Sequence, residues 1–196
     1  MKKVASLLLL VFPFCLLLAQ RADNAAAKRV TSVVDSTQSN NLVLIQEFDV
    51  KVPLDSVWNA FTTKQGWEGA FVPLAEVDFR INGTIKTSYT KGATIGDSTT
   101  IVLNIINYVP KRLITLQAEI AAHFPAFMKA DEKDFYNLIY FEEVEESLTR
   151  VTSYGIGYKN NEKYRSLLKF FISGNEMSYM NLISYLETGV PVKYAE

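Results

Sequence analysis

The order of apolar repeats along the chain constrains its fold more than any other feature of the sequence. Seven short segments alternate between apolar and polar residues as strands do, and one long segment near the end repeats apolar residues at helical spacing. The first strand-like segment places on one face the residues Leu44, Gln46, Phe48, Val50 and Val52. The sequence therefore predicts an α+β fold with one dominant helix.

Turn residues and prolines separate these segments. Pro53 ends the first strand and suits the first turn of a helix, so we expect two short helices before the second strand. The Asn82-Gly83 pair predicts a turn between strands, and residues 121–134 predict a looser connection. Further strands are predicted at residues 75–81, 84–90, 98–108, 112–120, 137–145 and 149–158, and the long helix at residues 161–188 with a possible kink near Gly174.

A strongly curved antiparallel sheet of about seven strands, wrapped around the long C-terminal helix, would bury all of these apolar faces. Such an arrangement encloses a cavity between the sheet and the helix. Glycines on a strand weaken its packing, so we expect Gly155 and Gly157 to let the sheet bend or to leave room for the helix.

The N-terminus has the layout of a secretory signal peptide. Lys2 and Lys3 precede an apolar run that ends at Ala19, which predicts a leader over residues 1–19 and a secreted or periplasmic protein. The alternative is an uncleaved anchor, but the run is shorter than a membrane-spanning helix and contains Pro13, so no stable membrane anchor is expected. Residues 20–41 are predicted to be a flexible spacer and residues 42–190 the folded domain.

Composition excludes several classes of function. The only cysteine, Cys15, lies in the predicted leader, and His123 is the only histidine, so Cys-His and multi-histidine metal sites cannot form in the mature domain. The chain has 20 Lys+Arg against 21 Asp+Glu and no basic stripe, which argues against nucleic acid as a partner. The acidic residues 142–146 alternate between two strand faces, so they predict a solvated hairpin, and we expect no metal, no cofactor and no catalytic residue.

Several segments together resemble the START-like (SRPBCC) superfamily, in the branch of the activator-of-heat-shock-chaperone-ATPase homology domain. They are residues 52–63, with the sequence VPLDSVWNAFTT, a tryptophan-bearing loop at Gly66-Trp67-Glu68, residues 78–83 and the turn at residues 108–113. The resemblance covers residues 42–186 and implies a helix-grip fold. It also implies a hydrophobic or amphipathic ligand held between sheet and helix, although some branches are cyclases, hydrolases or lipid carriers.

The long helix supplies the sharpest candidate for a binding residue. Its apolar stripe is interrupted at Asn175, and a polar side chain inside such a stripe is costly when buried unless it is hydrogen-bonded. We expect Asn175 to orient the polar group of a ligand. The residues expected to contact the apolar body of that ligand are Phe171, Met177, Tyr179 and Leu182. The alternative is that Asn175 only caps or kinks the helix after Gly174.

Strand residues complete the predicted site. The candidates that would line the cavity if their faces turn inward are Tyr89, Leu103, Ile105, Tyr140 and Tyr154, and the alternative for each is plain core packing. The leading hypothesis is binding of an apolar or amphipathic small molecule without catalysis. The rivals are an enzyme that uses the same cavity, with His123 or a buried carboxylate as base, and a protein-interaction module whose partner the sequence does not identify.

Overall fold

One curved antiparallel sheet and a long C-terminal helix form the framework of the computed structural model, which describes residues 28–37, 40–121 and 124–192. The strands are β1 Val30–Asp35, β2 Asn41–Val50, β3 Leu74–Val77, β4 Thr84–Ser88, β5 Ile101–Val109, β6 Leu113–Ala118, β7 Tyr136–Glu145 and β8 Leu148–Lys159. The helices are α1 Leu54–Thr62, α2 Lys64–Ala70, α3 Ala126–Ala130 and α4 Glu162–Thr188. The predicted leader and His123 lie outside the described residues.

The strand order is β1-β2-β8-β7-β6-β5-β4-β3, with every neighbouring pair antiparallel. The α+β class, the curved antiparallel sheet and the long terminal helix predicted from the sequence are confirmed. Among the described residues, none of the helices combines the length and the apolar content needed to cross a bilayer.

The sheet has an eighth strand where a flexible spacer was expected. Residues of β1 pair with β2 from Val30↔Phe48 to Asp35↔Val43, and Val30 is 1% exposed within the main apolar cluster. Arg29 and Lys28, just before the strand, form ion pairs with Glu187 and Glu176 of α4. For this part of the predicted spacer the expectation is wrong, because β1 forms backbone hydrogen bonds along the edge of β2 and buries Val30.

The tryptophan-bearing segment after α1 is a helix, not a loop. Thr63 caps α2 by accepting a hydrogen bond from the backbone N–H of Gly66 at 3.0 Å. Trp67 is buried, and its indole N–H donates to the carbonyl of Phe61 at 2.9 Å. Trp67, the only large apolar side chain of α2, therefore holds this helix against α1.

The long helix α4 runs unbroken for 27 residues. The side chain of Asn161 accepts a hydrogen bond from the backbone N–H of Tyr164 at its start, and Gly189 with φ of 78° ends it in the left-handed conformation. The helix continues without interruption through Gly174, where a kink was expected.

The buried apolar residues form two separate clusters. The larger surrounds α1, α2 and the second half of α4, and includes Val57, Phe61 and Leu182. The smaller lies under the first half of α4, and includes Leu42, Met128 and Leu168. Because the two clusters do not merge, an interior gap lies between them.

Gly157 marks an irregular position in β8. The register between β2 and β8 shifts between Leu42 and Leu44, and Gly157 adopts a φ of 93°. A Cβ atom at this position would lie 2.0 Å from the backbone oxygen of Asp134. Gly157 therefore leaves room for the backbone at Asp134 rather than for the long helix. Its place in an irregular stretch of β8 is the one expected of a glycine that lets the sheet bend.

Replacing Gly157 with alanine should lower the free energy of unfolding by at least about 2 kcal/mol, because both the positive φ and the contact with Asp134 oppose a side chain. Urea denaturation measures the change. The control is Gly174→Ala, an exposed helix position where an added Cβ meets nothing, which should be neutral or stabilising by up to about 1 kcal/mol. Equal effects at the two glycines would contradict this account.

Truncation of Val30 tests whether β1 belongs to the folded domain. Val30→Ala should lower the free energy of unfolding by about 2 kcal/mol, since its side chain is buried in the main cluster. Val33→Ala, on the same strand but 52% exposed, should change it by less than about 0.5 kcal/mol. A spacer that merely rests on the surface would show the same small effect at both positions.

Candidate ligand-binding site

A cavity of about 300 Å³ occupies the gap between the two apolar clusters. Its walls come from the inner face of the sheet and from α4, and α2 and α3 contribute to its two ends. Phe61, Trp67 and Leu116 of the larger cluster face it on one side. Met128 and Phe135 of the smaller cluster face it on the other. The lining is therefore mostly apolar.

A row of four polar side chains crosses the sheet beside this cavity. Ser32 of β1 pairs with Gln46 of β2, Gln46 pairs with Ser153 of β8, and Asn137 of β7 lies diagonally beyond Ser153. We call Ser32, Gln46, Ser153 and Asn137 the polar row. Since strands alternate their faces, these inward positions interrupt apolar stripes in four neighbouring strands at the same level.

Side chains of α4 cover the polar row. Asn175 donates from Nδ2 to Oε1 of Gln46 at 2.8 Å, and Gln46 is only 1% exposed. Gln46 in turn donates from Nε2 to Ser32 Oγ at 3.0 Å. The Asn175 side chain therefore neither caps nor kinks the helix, but fixes α4 against the middle of β2.

The far end of the row is also paired. Ser153 donates to Asn137 Oδ1 at 2.8 Å, and the hydroxyl of Tyr179, one helical turn after Asn175, interacts with both side chains. Burial raises the pKa of Tyr179, and its hydrogen bonds with Ser153 and Asn137 oppose that rise only in part. Tyr179 therefore stays a neutral hydroxyl at any physiological pH.

Tyr158 brings a second neutral hydroxyl to the cavity wall. Burial, followed by the nearby Tyr179, raises the pKa of Tyr158 to about 12. A Cβ atom on Gly155 would lie 3.1 Å from the Tyr158 ring, so the absence of a side chain at Gly155 leaves space for this tyrosine. The wall thus offers hydrogen-bonding groups that carry no charge.

Glu176 anchors the polar row at the protein surface. Its Oε1 accepts hydrogen bonds from Lys28 Nζ at 2.7 Å and from Ser32 Oγ at 2.6 Å. Burial raises the pKa of Glu176, but the hydrogen bonds from Lys28 and Ser32 outweigh it and hold the pKa below its usual value. The carboxylate is consequently ionised at neutral pH and can only accept hydrogen bonds.

Five of the ten residues predicted from the sequence as ligand contacts line the cavity: Tyr89, Leu103, Phe171, Asn175 and Tyr179. Tyr89 is 60% exposed, so it lies at the mouth rather than inside. The placement brings residues from β5, α4 and the segment after β4 to one space. Their part in binding stays a prediction.

The other five predicted residues do not line the cavity. Ile105 and Leu182 are fully buried in the larger cluster and pack in the core. Tyr140 and Tyr154 lie on the outer face of the sheet, with their ring centroids 5.5 Å apart. Both faces of β7 and β8 are rich in apolar residues, so alternation alone did not identify the inner face. Met177, also expected to contact a ligand, is not among the lining residues and is 48% exposed.

Sequence reasoning missed Gln46, Asn137, Ser153 and Tyr158 as members of the site. A signal for Gln46 was present, since it stands on the apolar face of β2 between Leu44 and Phe48. A buried polar side chain needs a partner, so that position could have been expected to face either another polar group or a ligand. No local pattern reveals that Ser32, Ser153 and Asn137 meet it.

Among the lining residues of the described chain, Glu119 alone carries a formal charge. It is exposed and accepts a hydrogen bond from Asn104 Nδ2 at 3.4 Å. Within the same described ranges no three His, Cys, Asp or Glu side chains are grouped so that they could hold a metal ion. The hairpin glutamates Glu142 and Glu143 are exposed.

The chain matches the model of a known protein family. The family model described as Activator of Hsp90 ATPase homolog 1-like protein matches residues 51–187, well over half of the chain. The match includes α1, α2, the strands from β3 to β8 and almost all of α4, but not β1 or β2. The search of curated proteins found no match.

Solved structures share this architecture at low sequence identity. The protein SSP2350 from Staphylococcus saprophyticus is 22% identical, covering 78% of this chain and 97% of its own, with a TM-score of 0.58. The Aha1 dimer from Colwellia psychrerythraea is 15% identical, covering 75% of this chain and 97% of its own, with a TM-score of 0.56. CalU16 from Micromonospora echinospora is 18% identical, covering 85% of this chain and 87% of its own, with a TM-score of 0.58. At identities this low, the structural similarity shows a shared fold alone.

Removing the charge of Glu176 should make stability less dependent on acid pH. The ionised carboxylate stabilises the fold fully above about pH 4.5, and this contribution is lost as the pH falls through its lowered folded-state pKa. Glu176→Gln should therefore lower the free energy of unfolding by about 1 kcal/mol at pH 7. The gap to the parent protein should narrow as the pH falls below about 4.5.

Urea denaturation at several pH values measures this gap. Glu146→Gln, on the exposed hairpin between β7 and β8, is the matched control and should follow the parent protein throughout. A gap for Glu176→Gln that is as large at about pH 3.5 as at pH 7 would show that the carboxylate does not act through its charge.

Proposed function

We propose that this chain, which belongs to the family of activator of Hsp90 ATPase homolog 1-like proteins, binds an apolar or amphipathic small molecule between its sheet and α4. In this proposal the protein is exported and does not transform its ligand. The resemblance read from the motifs at residues 52–113 is confirmed by the family match. Because one fold can serve many functions, the proposal depends on the cavity itself.

The cavity at the junction of two apolar clusters is the observation that carries the proposal. Small-molecule sites are typically concave, mostly apolar and supplied with a few fixed polar groups. Phe61, Trp67 and Phe171 provide rigid apolar surface, while Asn175 and the polar row provide oriented hydrogen-bonding groups. An empty apolar cavity costs stability, so a ligand that fills it would stabilise the fold.

The charge of the lining favours binding over catalysis. Acid–base chemistry needs an ionisable group within reach of the reacting atoms. Of the lining side chains in the described ranges, only Glu119 carries a carboxylate, and it lies in an exposed position. Tyr158 and Tyr179 have raised pKa values and therefore serve as neutral hydrogen-bonding groups.

Export is the part of the proposal that depends on the N-terminal residues alone. Two lysines followed by an apolar run and the polar residues Gln20-Arg21 have the order of a cleavable leader. The folded part uses no cysteine, since the only one, Cys15, precedes it. Its stability does not depend on disulfides, so the domain can fold in an oxidising or in a reducing compartment.

Native mass spectrometry of the full-length gene product, purified from its own compartment, tests the proposal. We expect a mature chain that has lost about 20 residues and that carries a bound molecule. Organic solvent should extract this molecule, and its mass should stay the same when the complex is incubated for a long time before extraction. Ala118→Phe should abolish the bound molecule, because Ala118 lines the cavity and a phenyl ring would occupy that space. Val33→Phe, on the exposed face of β1, should keep it.

The possible results separate the parts of the proposal. A protein that never carries a molecule, and whose melting temperature no apolar compound raises, contradicts binding. A molecule whose mass changes during incubation favours the enzyme alternative. A full-length chain recovered from the cytosol contradicts export while leaving binding intact.

A further inference from the structure

We infer that the cavity selects a neutral ligand that presents a hydrogen-bond donor, a hydroxyl or N–H group, to Oδ1 of Asn175. This inference rests on the proposed binding function and adds the chemical class of the ligand. It follows from the direction in which each hydrogen bond of the polar row must run.

The direction is set at Glu176, at the surface end of the row. An ionised carboxylate only accepts hydrogen bonds, so Ser32 must donate its single hydroxyl proton to Glu176, at 2.6 Å. Ser32 can then only accept from the next side chain, which makes the atom of Gln46 at 3.0 Å an N–H donor. The amide of Gln46 therefore has one possible orientation.

The same logic fixes Asn175. With its Nε2 atom on Ser32, Gln46 turns its Oε1 atom toward α4, and that oxygen accepts from Nδ2 of Asn175 at 2.8 Å. The amide oxygen of Asn175 is left on the other side of the group. No hydrogen bond from within residues 28–37, 40–121 or 124–192 ends on this oxygen, and Asn175 lines the cavity.

The rest of the polar row makes no comparable demand on a ligand. Ser153 donates to Asn137, and Tyr179 interacts with both. Once a ligand displaces water, an unpaired acceptor at Asn175 would cost binding energy, whereas a ligand donor would satisfy it. The second Nδ2 hydrogen of Asn175 does not remove this requirement, because it can serve only acceptors.

The lining also discriminates by charge. The lining residues of the described ranges include no lysine, arginine or histidine. Lys28 and Arg29, which precede β1, are paired with Glu176 and Glu187. Burying an unpaired anion is costly, and Glu119 adds negative charge to the wall. A carboxylate or phosphate head group is therefore disfavoured inside this cavity.

Three probes with the same ten-carbon body isolate the donor. They are 1-decanol, which donates and accepts, decyl methyl ether, which only accepts, and decanoate at about pH 8, which is an anion. Calorimetry or displacement of a fluorescent apolar dye from the full-length protein gives the three dissociation constants. We expect decanol to bind at least about tenfold more tightly than the ether or decanoate.

Asn175→Leu should remove the preference for the alcohol over the ether, since the variant no longer has an acceptor at that position. Met177→Leu, two residues along the same helix but 48% exposed, is the matched control and should keep the preference. Circular dichroism and thermal melting establish that each variant is folded. If Asn175→Leu does not fold, Asn175→Ser, which keeps a small polar group able to accept from a ligand, should retain part of the preference.

The outcomes separate the inference from the proposed function. Equal binding of alcohol and ether by the parent protein overturns the requirement for a donor while binding itself stands. Tightest binding of decanoate overturns the argument from charge. Failure of all three probes, together with absence of any ligand in the protein from its own compartment, overturns the binding function and the inference with it.

Discussion

The hydrogen bond between Gln46 and Asn175 joins the middle of the sheet to the middle of α4, and much of the interior is arranged around it. Gln46 is almost completely buried, and a buried amide without a partner would cost on the order of 1–3 kcal/mol. This cost favours one depth and one rotation of α4 against β2. Apolar packing alone tolerates small shifts of a helix, whereas two paired amides do not.

The polar row also explains why the interior contains a cavity. Polar side chains at one level of four neighbouring strands prevent the apolar clusters on either side from merging. One cluster surrounds α1 and α2, and the other lies under the first half of α4. The space between them is left with a mostly apolar wall and a few oriented polar groups, which is the composition of a small-molecule site.

Strand β1 connects this interior to the surface. It carries Ser32, the link between Gln46 and Glu176, and the adjacent Lys28 and Arg29 pair with carboxylates on α4. This strand lies outside the region of the family match, so the orientation of the row depends on a segment that the family model does not include. The family accounts for the fold, and the residues of this chain account for the chemistry of its cavity.

The sequence by itself determined the elements, because their signals are local. Alternation along residues 44–52, the proline before α1 and the long helical repeat after residue 161 each concern residues close together in the chain. Asn175 was recognisable for the same reason, as a polar residue inside an apolar stripe. Only tertiary structure decided which face of β7 and β8 turns inward, since Tyr140 and Ile139 are neighbours and both suit burial. Only tertiary structure brought Ser32, Gln46, Ser153 and Asn137 into one row. The two halves of this row meet through the pairing of Gln46 with Ser153, which lie more than a hundred residues apart in the chain, and no local pattern encodes that pairing.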